Sequence, residues 1–145
     1  MNKIVECDGE VRVSLPPDEA LALFTPEGER TWVPGWAPEY PAGQPDAAAP
    51  GTVFLTTADG RTTTWVIVER GERTMRYARV RHGENAGTVS VECRPDARGT
   101  RAAVSYRLTP LNAAAAEALQ TFAETYPDFM SHWERHIAAA LARRA

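Results

Sequence analysis

Turn residues recur about every twelve positions between residues 50 and 110, and the segments between them alternate apolar and polar side chains. The Asp59-Gly60 dipeptide favours a tight hairpin because both residues accept positive φ. Segments with this alternation are 52–57, 62–69, 74–82, 87–94 and 100–109. Residues 4–15 alternate in the same way. We therefore predict a six-stranded antiparallel sheet.

The spacing of apolar residues changes after Pro110. Asn112 can accept hydrogen bonds from the first free amides of a helix. Apolar residues then recur at spacings of three and four: Leu119, Phe122, Tyr126, Phe129 or Met130, Trp133, Ile137 and Leu141. This pattern predicts one long C-terminal helix of about 30 residues. Pro127 lies inside it and an interior proline costs roughly 3 kcal/mol, so we expect a kink there.

Two short helices are predicted between the first strand and the later ones. The first opens at Pro16-Pro17-Asp18-Glu19 and runs through Phe24, with prolines and acids where a helix N-terminus accepts them. The second runs from Pro26 to about Trp32, and residues 33–50 are too rich in proline for regular structure. The predicted class is thus α+β.

This order of elements predicts a space inside the protein. One helix is about 10 Å across, whereas strands lie about 4.8 Å apart, so a single helix cannot cover six strands. The sheet must curve around the helix. The short helices and the segment with Trp32 and Trp36 are then left to close the gap. Whether aromatic side chains fill the space or leave it open is not decided by this geometry.

Length and charge narrow the class of protein. A chain of 145 residues is expected to form one domain, residues 1–145. The formal charge of −3 argues against binding to nucleic acid. The sequence lacks an apolar run of membrane-spanning length and an apolar signal core at its start, so we expect a cytoplasmic protein. Cys7 and Cys93 are expected to be unpaired, because another strand should separate theirs.

The chain resembles the START-like helix-grip superfamily, also called SRPBCC, and above all its uncharacterised bacterial members. The superfamily includes polyketide cyclases, birch-pollen-type allergens, lipid-transfer domains and chaperone activators. The matching residues are 23–30 (LFTPEGER), Trp32, 34–36 (PGW), 51–54 (GTVF), Trp65, Tyr106 with Leu108, and Trp133 with Ile137. The resemblance implies a curved sheet around a helix, with a cavity for an apolar ligand. It does not imply a reaction.

Polar candidates for the site are few. His132 and His136 are four residues apart on one helix, as paired metal ligands are, but no third ligand is evident and we predict neither a metal nor a cofactor. His136 lies nearer the apolar stripe and could reach the cavity. Glu29, three residues before Trp32, could be a buried base with a raised pKa, or an ordinary solvated or capping residue. Arg30 is either a ligand anchor or a surface charge.

Five arginines are clustered at 70, 73, 76, 79 and 81. Glutamates lie in or near the neighbouring strands, and opposite charges on adjacent strands support a sheet. We therefore predict a salt-bridged outer face of the sheet.

The leading hypothesis is a protein, monomeric or homodimeric, that binds or carries a small apolar, ring-bearing ligand. The residues predicted to line or cover the site are Trp32, Trp36, Trp65, Tyr106, Phe129 and Trp133, with Glu29 or His136 as the polar anchor. An enzyme similar to polyketide cyclases is the second hypothesis, with the same two polar residues as catalytic candidates. An interaction module resembling chaperone activators is the third.

Overall fold

The computed structural model describes residues 3–44 and 46–144. Its elements are, in chain order, β1 Val5–Val13, α1 Pro17–Ala22, α2 Pro26–Glu29, β2 Val53–Ala58, β3 Arg61–Arg70, β4 Thr74–Arg81, β5 Asn85–Asp96, β6 Gly99–Pro110, α3 Ala113–Glu124 and α4 Tyr126–Arg144. The predicted order of one strand, two short helices, five strands and a C-terminal helical region is confirmed. The predicted irregular segment at 33–50 includes Pro45, which lies outside the described residues.

The six strands form one curved antiparallel sheet in the order β1-β6-β5-β4-β3-β2. Strands β2 to β6 follow one another as hairpins, and the first hairpin turns at Asp59 and Gly60, whose φ angles are 52° and 74°. Strand β6 lies between β1 and β5, so Cys7 and Cys93 sit on strands that do not touch. Both thiols are buried and free, as predicted.

The concave face of the sheet carries the core. Val89, Val91 and Cys93 on β5 are buried, as are Val104 and Tyr106 on β6, in the alternation that the sequence shows. The helices pack mainly over one half of this face, since α1 contacts β5 and β6, α3 contacts β6 and β1, and α4 contacts β1. The aromatic residues of the segment after α2 close the other half.

The C-terminal helical region is divided rather than kinked. Helix α3 ends at Glu124, and its C-cap residue Thr125 has a φ of −99° and a ψ of 6°. Helix α4 then runs for 19 residues. Pro127 lies in the first turn of α4, where its missing N–H would have had no partner within the helix. The single helix with a kink at Pro127, predicted from the apolar spacing, is therefore corrected to two helices. No helix within residues 3–44 and 46–144 is long and apolar enough to span a membrane.

A glycine sets how closely α2 approaches α1. Thr25 caps α2 by accepting a hydrogen bond from the backbone N–H of Gly28 at 3.0 Å. A Cβ atom added to Gly28 would lie 1.8 Å from the carbonyl oxygen of Ala22, so no other residue fits without a backbone shift. The next residue, Glu29, ends the helix, which is shorter than the predicted one that reached Trp32. This close packing holds Glu29 against the core.

Candidate functional site

Two neighbouring spaces lie on the concave side of the sheet. The first, called the inner cavity, is lined by Phe24, Glu29, Trp36, Phe54, Trp65, Tyr77, Val89, Val91, Tyr106 and Trp133. The volume open to the centre of a water-sized sphere is about 20 Å³. A single water needs roughly 10–15 Å³ by this measure. The space predicted beneath the helix is thus present, but aromatic side chains occupy most of it.

The rings around the inner cavity pack against one another in an ordered way. Phe54 and Trp65 stack, with an interplanar angle of 2° and centroids 5.8 Å apart. Trp36 meets both rings edge-on, at 6.1 Å from Phe54 and 5.8 Å from Trp65. Tyr77 also meets both edge-on. Edge-on and offset pairs are the favoured aromatic geometries, so this cluster is a stable wall.

The two tryptophans after α2 have different positions. Trp36 is half-buried, lines the inner cavity and donates its indole N–H to the carbonyl oxygen of Pro26 at 2.9 Å. Trp32 is buried behind the cavity, where it packs 5.1 Å from Trp133 and donates its indole N–H to the carbonyl oxygen of Leu23 at 2.8 Å. Trp36 therefore lines the cavity, whereas Trp32 belongs to the core behind Trp133.

Glu29 is a carboxyl group enclosed by apolar surface. Its side chain lines the inner cavity and is only 9% exposed. Burial raises its pKa well above the ordinary 4.5, with no compensating hydrogen bond or cation among the described residues. Loss of hydration disfavours the ionised form, so burial favours the protonated acid at Glu29. Of the two interpretations left open by the sequence, the structure favours the buried one.

The second space, called the outer pocket, lies between α3 and strands β4 to β6. It is lined by Arg61, Arg79, Arg81, Glu84, Asn85, Tyr106, Leu108, Ala115, Ala118, Leu119, Phe122 and Phe129. Its volume by the same measure is about 370 Å³. Tyr106 lines both spaces, and the ring of Phe129 lies 5.1 Å from that of Trp133 in the inner cavity. The two spaces are therefore separated by aromatic side chains.

Two of the five clustered arginines lie on the concave face, not the outer one. Side chains alternate along a strand, so Arg79 and Arg81 share the face of buried Tyr77, while Arg76 is exposed on the other side. The prediction of an outer-face role is wrong for these two residues. The sequence contains the evidence for the concave face, because Arg79 and Arg81 lie two and four residues after Tyr77 on one strand. The usual exposure of arginine favoured the outer face instead. Ion pairs on the outer surface are formed by other arginines, such as Arg107 with Glu6 at 3.5 Å.

The two histidines of α4 do not reach either space. His132 and His136 are exposed, and the expectation that His136 faces the cavity is wrong. The buried face of α4 includes Met130, Ile137 and Ala140. Successive residues of a helix are rotated by about 100°, so the side chain of His136 points away from that of Ile137. The part of the chain that the structure describes has no cluster of three side chains suited to a metal ion.

A curved antiparallel sheet packed against a long C-terminal helix, with a pocket on its concave side, defines a helix-grip protein. The chain belongs to the polyketide cyclase / dehydrase and lipid transport family, whose model matches residues 5–136. This match confirms the resemblance found in the sequence. A comparison with curated proteins gave no significant match.

Solved structures support the same fold. A Mesorhizobium loti protein aligns with a TM-score of 0.69 at 17% identity, over 97% of this chain and 99% of its own. Major latex-like protein 151 from Panax ginseng aligns with a TM-score of 0.70 at 17% identity, over 94% of this chain and 96% of its own. A protein of the dynemicin biosynthetic locus aligns with a TM-score of 0.65 at 16% identity, over 92% of this chain and 47% of its own. At these identities the likeness concerns the fold alone.

Proposed function

We propose that this protein binds a small apolar, ring-bearing ligand between the sheet and its C-terminal helices. The observation that carries the proposal is the outer pocket of about 370 Å³, whose walls include Leu119, Phe122 and Phe129. Pockets for small molecules commonly measure about 300–1,000 Å³ and are mostly apolar with a few polar groups. The family's description, which includes lipid transport, is consistent with such a ligand.

The aromatic residues divide into three roles under this proposal. Phe129 and Tyr106 contact the ligand directly in the outer pocket. Trp65 and Trp133 form the wall of the inner cavity, and Trp36 covers this cavity. A rotation of the half-buried Trp36 would enlarge the inner cavity, which could then take the far end of a longer ligand. Trp32 supports Trp133 from behind and does not contact the ligand.

Blocking the outer pocket tests the proposal. N-phenylnaphthylamine is an uncharged, ring-bearing probe whose fluorescence rises in apolar surroundings. Ala118 lines the pocket but is itself exposed, so Ala118→Trp fills the pocket mouth without disturbing the core. Gln120→Trp places the same ring on the same helix, outside the pocket lining, as a matched control. We expect the wild type and the control to bind the probe and Ala118→Trp to lose binding. Absence of binding by the wild type contradicts the proposal.

An enzyme similar to polyketide cyclases is the second candidate, favoured by Glu29. A buried carboxyl group with a raised pKa can donate a proton to a carbonyl or hydroxyl oxygen during cyclisation or dehydration. The test is turnover of poly-β-keto thioester analogues by the wild type and by Glu29→Gln, with probe binding measured in parallel. Loss of turnover with unchanged binding supports catalysis by Glu29. Equal turnover by both proteins excludes that role.

A further inference from the structure

Arg79 is a buried cation that forms no ion pair within the described residues. Its side chain is 8% exposed, and its Nε atom is buried with no hydrogen-bond partner among the described residues. No carboxylate of residues 3–44 and 46–144 forms an ion pair with it, although Glu84 attracts its charge from farther away. The ring of Trp65 lies 5.3 Å from Cζ. Burial lowers the pKa of Arg79, yet a guanidinium stays charged in proteins. A buried charge of this kind is costly unless something neutralises it.

Two other arginines extend this charge along the same end of the outer pocket. Arg81 is half-buried and donates its Nε–H to the hydroxyl of Thr63 at 3.2 Å, a neutral partner. Arg61 pairs with Glu84 at 3.2 Å. Glu84 is the one carboxylate among the residues that line this pocket, against three arginines. The pocket therefore has a net positive end.

A second unpartnered polar group lies beside them. Asn85 begins β5 directly opposite Arg81 on β4. Its side chain is 5% exposed, and its Oδ1 atom has no hydrogen-bond partner in the described part of the chain. Buried polar groups are normally satisfied, so the Nε–H of Arg79 lacks an acceptor and the amide oxygen of Asn85 lacks a donor. The facing wall, on α3, is apolar.

We propose that the ligand of the outer pocket is a ring-bearing organic acid whose carboxylate pairs with Arg79. Arg81 adds positive charge, and the rings pack against Phe122 and Phe129. Arginine binds carboxylates through two parallel hydrogen bonds, and charge-assisted bonds of this kind are about twice as strong as neutral ones. This inference rests on the proposed function and adds the chemical class of the ligand.

Naphthoate and naphthamide test the inference because they have nearly the same shape and differ in charge. Each displaces N-phenylnaphthylamine from the wild type, Arg79→Met and Arg76→Met. Methionine keeps an apolar stem, and Arg76 is the matched control on the outer face of the same strand. We expect naphthoate to compete at about tenfold lower concentration than naphthamide with the wild type and the control, and at equal concentration with Arg79→Met.

The outcomes separate the two proposals. If the wild type binds the probe but naphthoate and naphthamide compete equally, the ligand is not an acid and the inference falls, while the proposed function stands. If the preference for naphthoate persists in Arg79→Met, Arg79 is not the anchor and the inference also falls. If the wild type does not bind the probe, the proposed function itself fails. The comparison in the wild type needs no variant, so a misfolded Arg79→Met leaves the inference testable.

Discussion

Replacing Glu29 by glutamine removes the one acid that lies within the inner cavity lining. In the folded protein burial keeps this carboxyl protonated above its ordinary pKa of 4.5, whereas in the unfolded chain it ionises near that value. The amide of glutamine has nearly the shape of the protonated acid and does not titrate. We therefore expect Glu29→Gln to match the wild type in stability at low pH and to exceed it at neutral pH.

The size of the difference follows from proton linkage. Above pH 4.5 the unfolded chain binds one proton fewer than the folded protein at this position. Between pH 4.5 and the folded-state pKa, the contribution of Glu29 to the free energy of unfolding therefore falls by about 1.4 kcal/mol for each pH unit. The contribution of Glu29 is fully present below pH 4.5, declines as pH rises towards the folded-state pKa, and is constant beyond it. The gap between Glu29→Gln and the wild type grows with the same slope.

Urea unfolding followed by tryptophan fluorescence at a series of pH values measures this gap. Glu27→Gln is the control. Burial raises the pKa of Glu27, but hydrogen bonds from Tyr40 and Arg30 outweigh that effect and lower it. The stabilising effect of ionised Glu27 is thus lost only at pH values below those at which Glu29 affects stability. The difference in the free energy of unfolding between Glu27→Gln and the wild type should therefore be constant above pH 5. A constant difference for Glu29→Gln as well would mean that Glu29 is ionised in the folded protein, and the reasoning would be refuted.

Two further predictions concern packing. Gly28→Ala should lower the free energy of unfolding by roughly 1–3 kcal/mol, because its methyl group would lie 1.8 Å from the carbonyl oxygen of Ala22. Urea unfolding measures this loss, and a variant as stable as the wild type would contradict the close approach. Cys7 and Cys93 should react with a thiol reagent only on unfolding, because both are buried and burial raises their pKa values, that of Cys93 to about 11. Rapid labelling of the native protein at pH 8 would contradict the buried positions.

The strands could be predicted from sequence because their signals are local. Alternation assigns each strand a face, and Asp59-Gly60 specifies a turn that only residues tolerant of positive φ adopt. The division of the last helix could not be read from periodicity, because the apolar spacing continues through Pro127. The division depends on the backbone hydrogen bonds. A new helix begins at Tyr126, and Pro127 then lies in its first turn, where a missing N–H has no cost.

The site was predicted less completely, for two physical reasons. The exposure of His136 depends on the rotation of α4 about its axis, which contact with β1 fixes and the sequence does not. The burial of Arg79 could be deduced from its parity with Tyr77, but only by placing a charge in the interior. Ordinary expectations about arginine favour the opposite face. Arg79, the residue on which the proposed ligand class depends, is therefore one that general residue preferences place on the outer face of the sheet.

The two spaces differ in charge, and this difference would orient a bound ligand. The positive end of the outer pocket includes Arg79, whereas the inner cavity is lined by Glu29, whose pKa is raised by burial. Trp65 contacts Arg79 and lines the inner cavity, and Tyr106 lines both spaces. A carboxylate held by Arg79 would therefore direct the rest of the ligand either along α3 or past Tyr106 towards Glu29. Glu29→Gln should leave the preference for naphthoate unchanged, since the charged group and Glu29 occupy different spaces. A preference lost in Glu29→Gln would show that the two spaces act as one site.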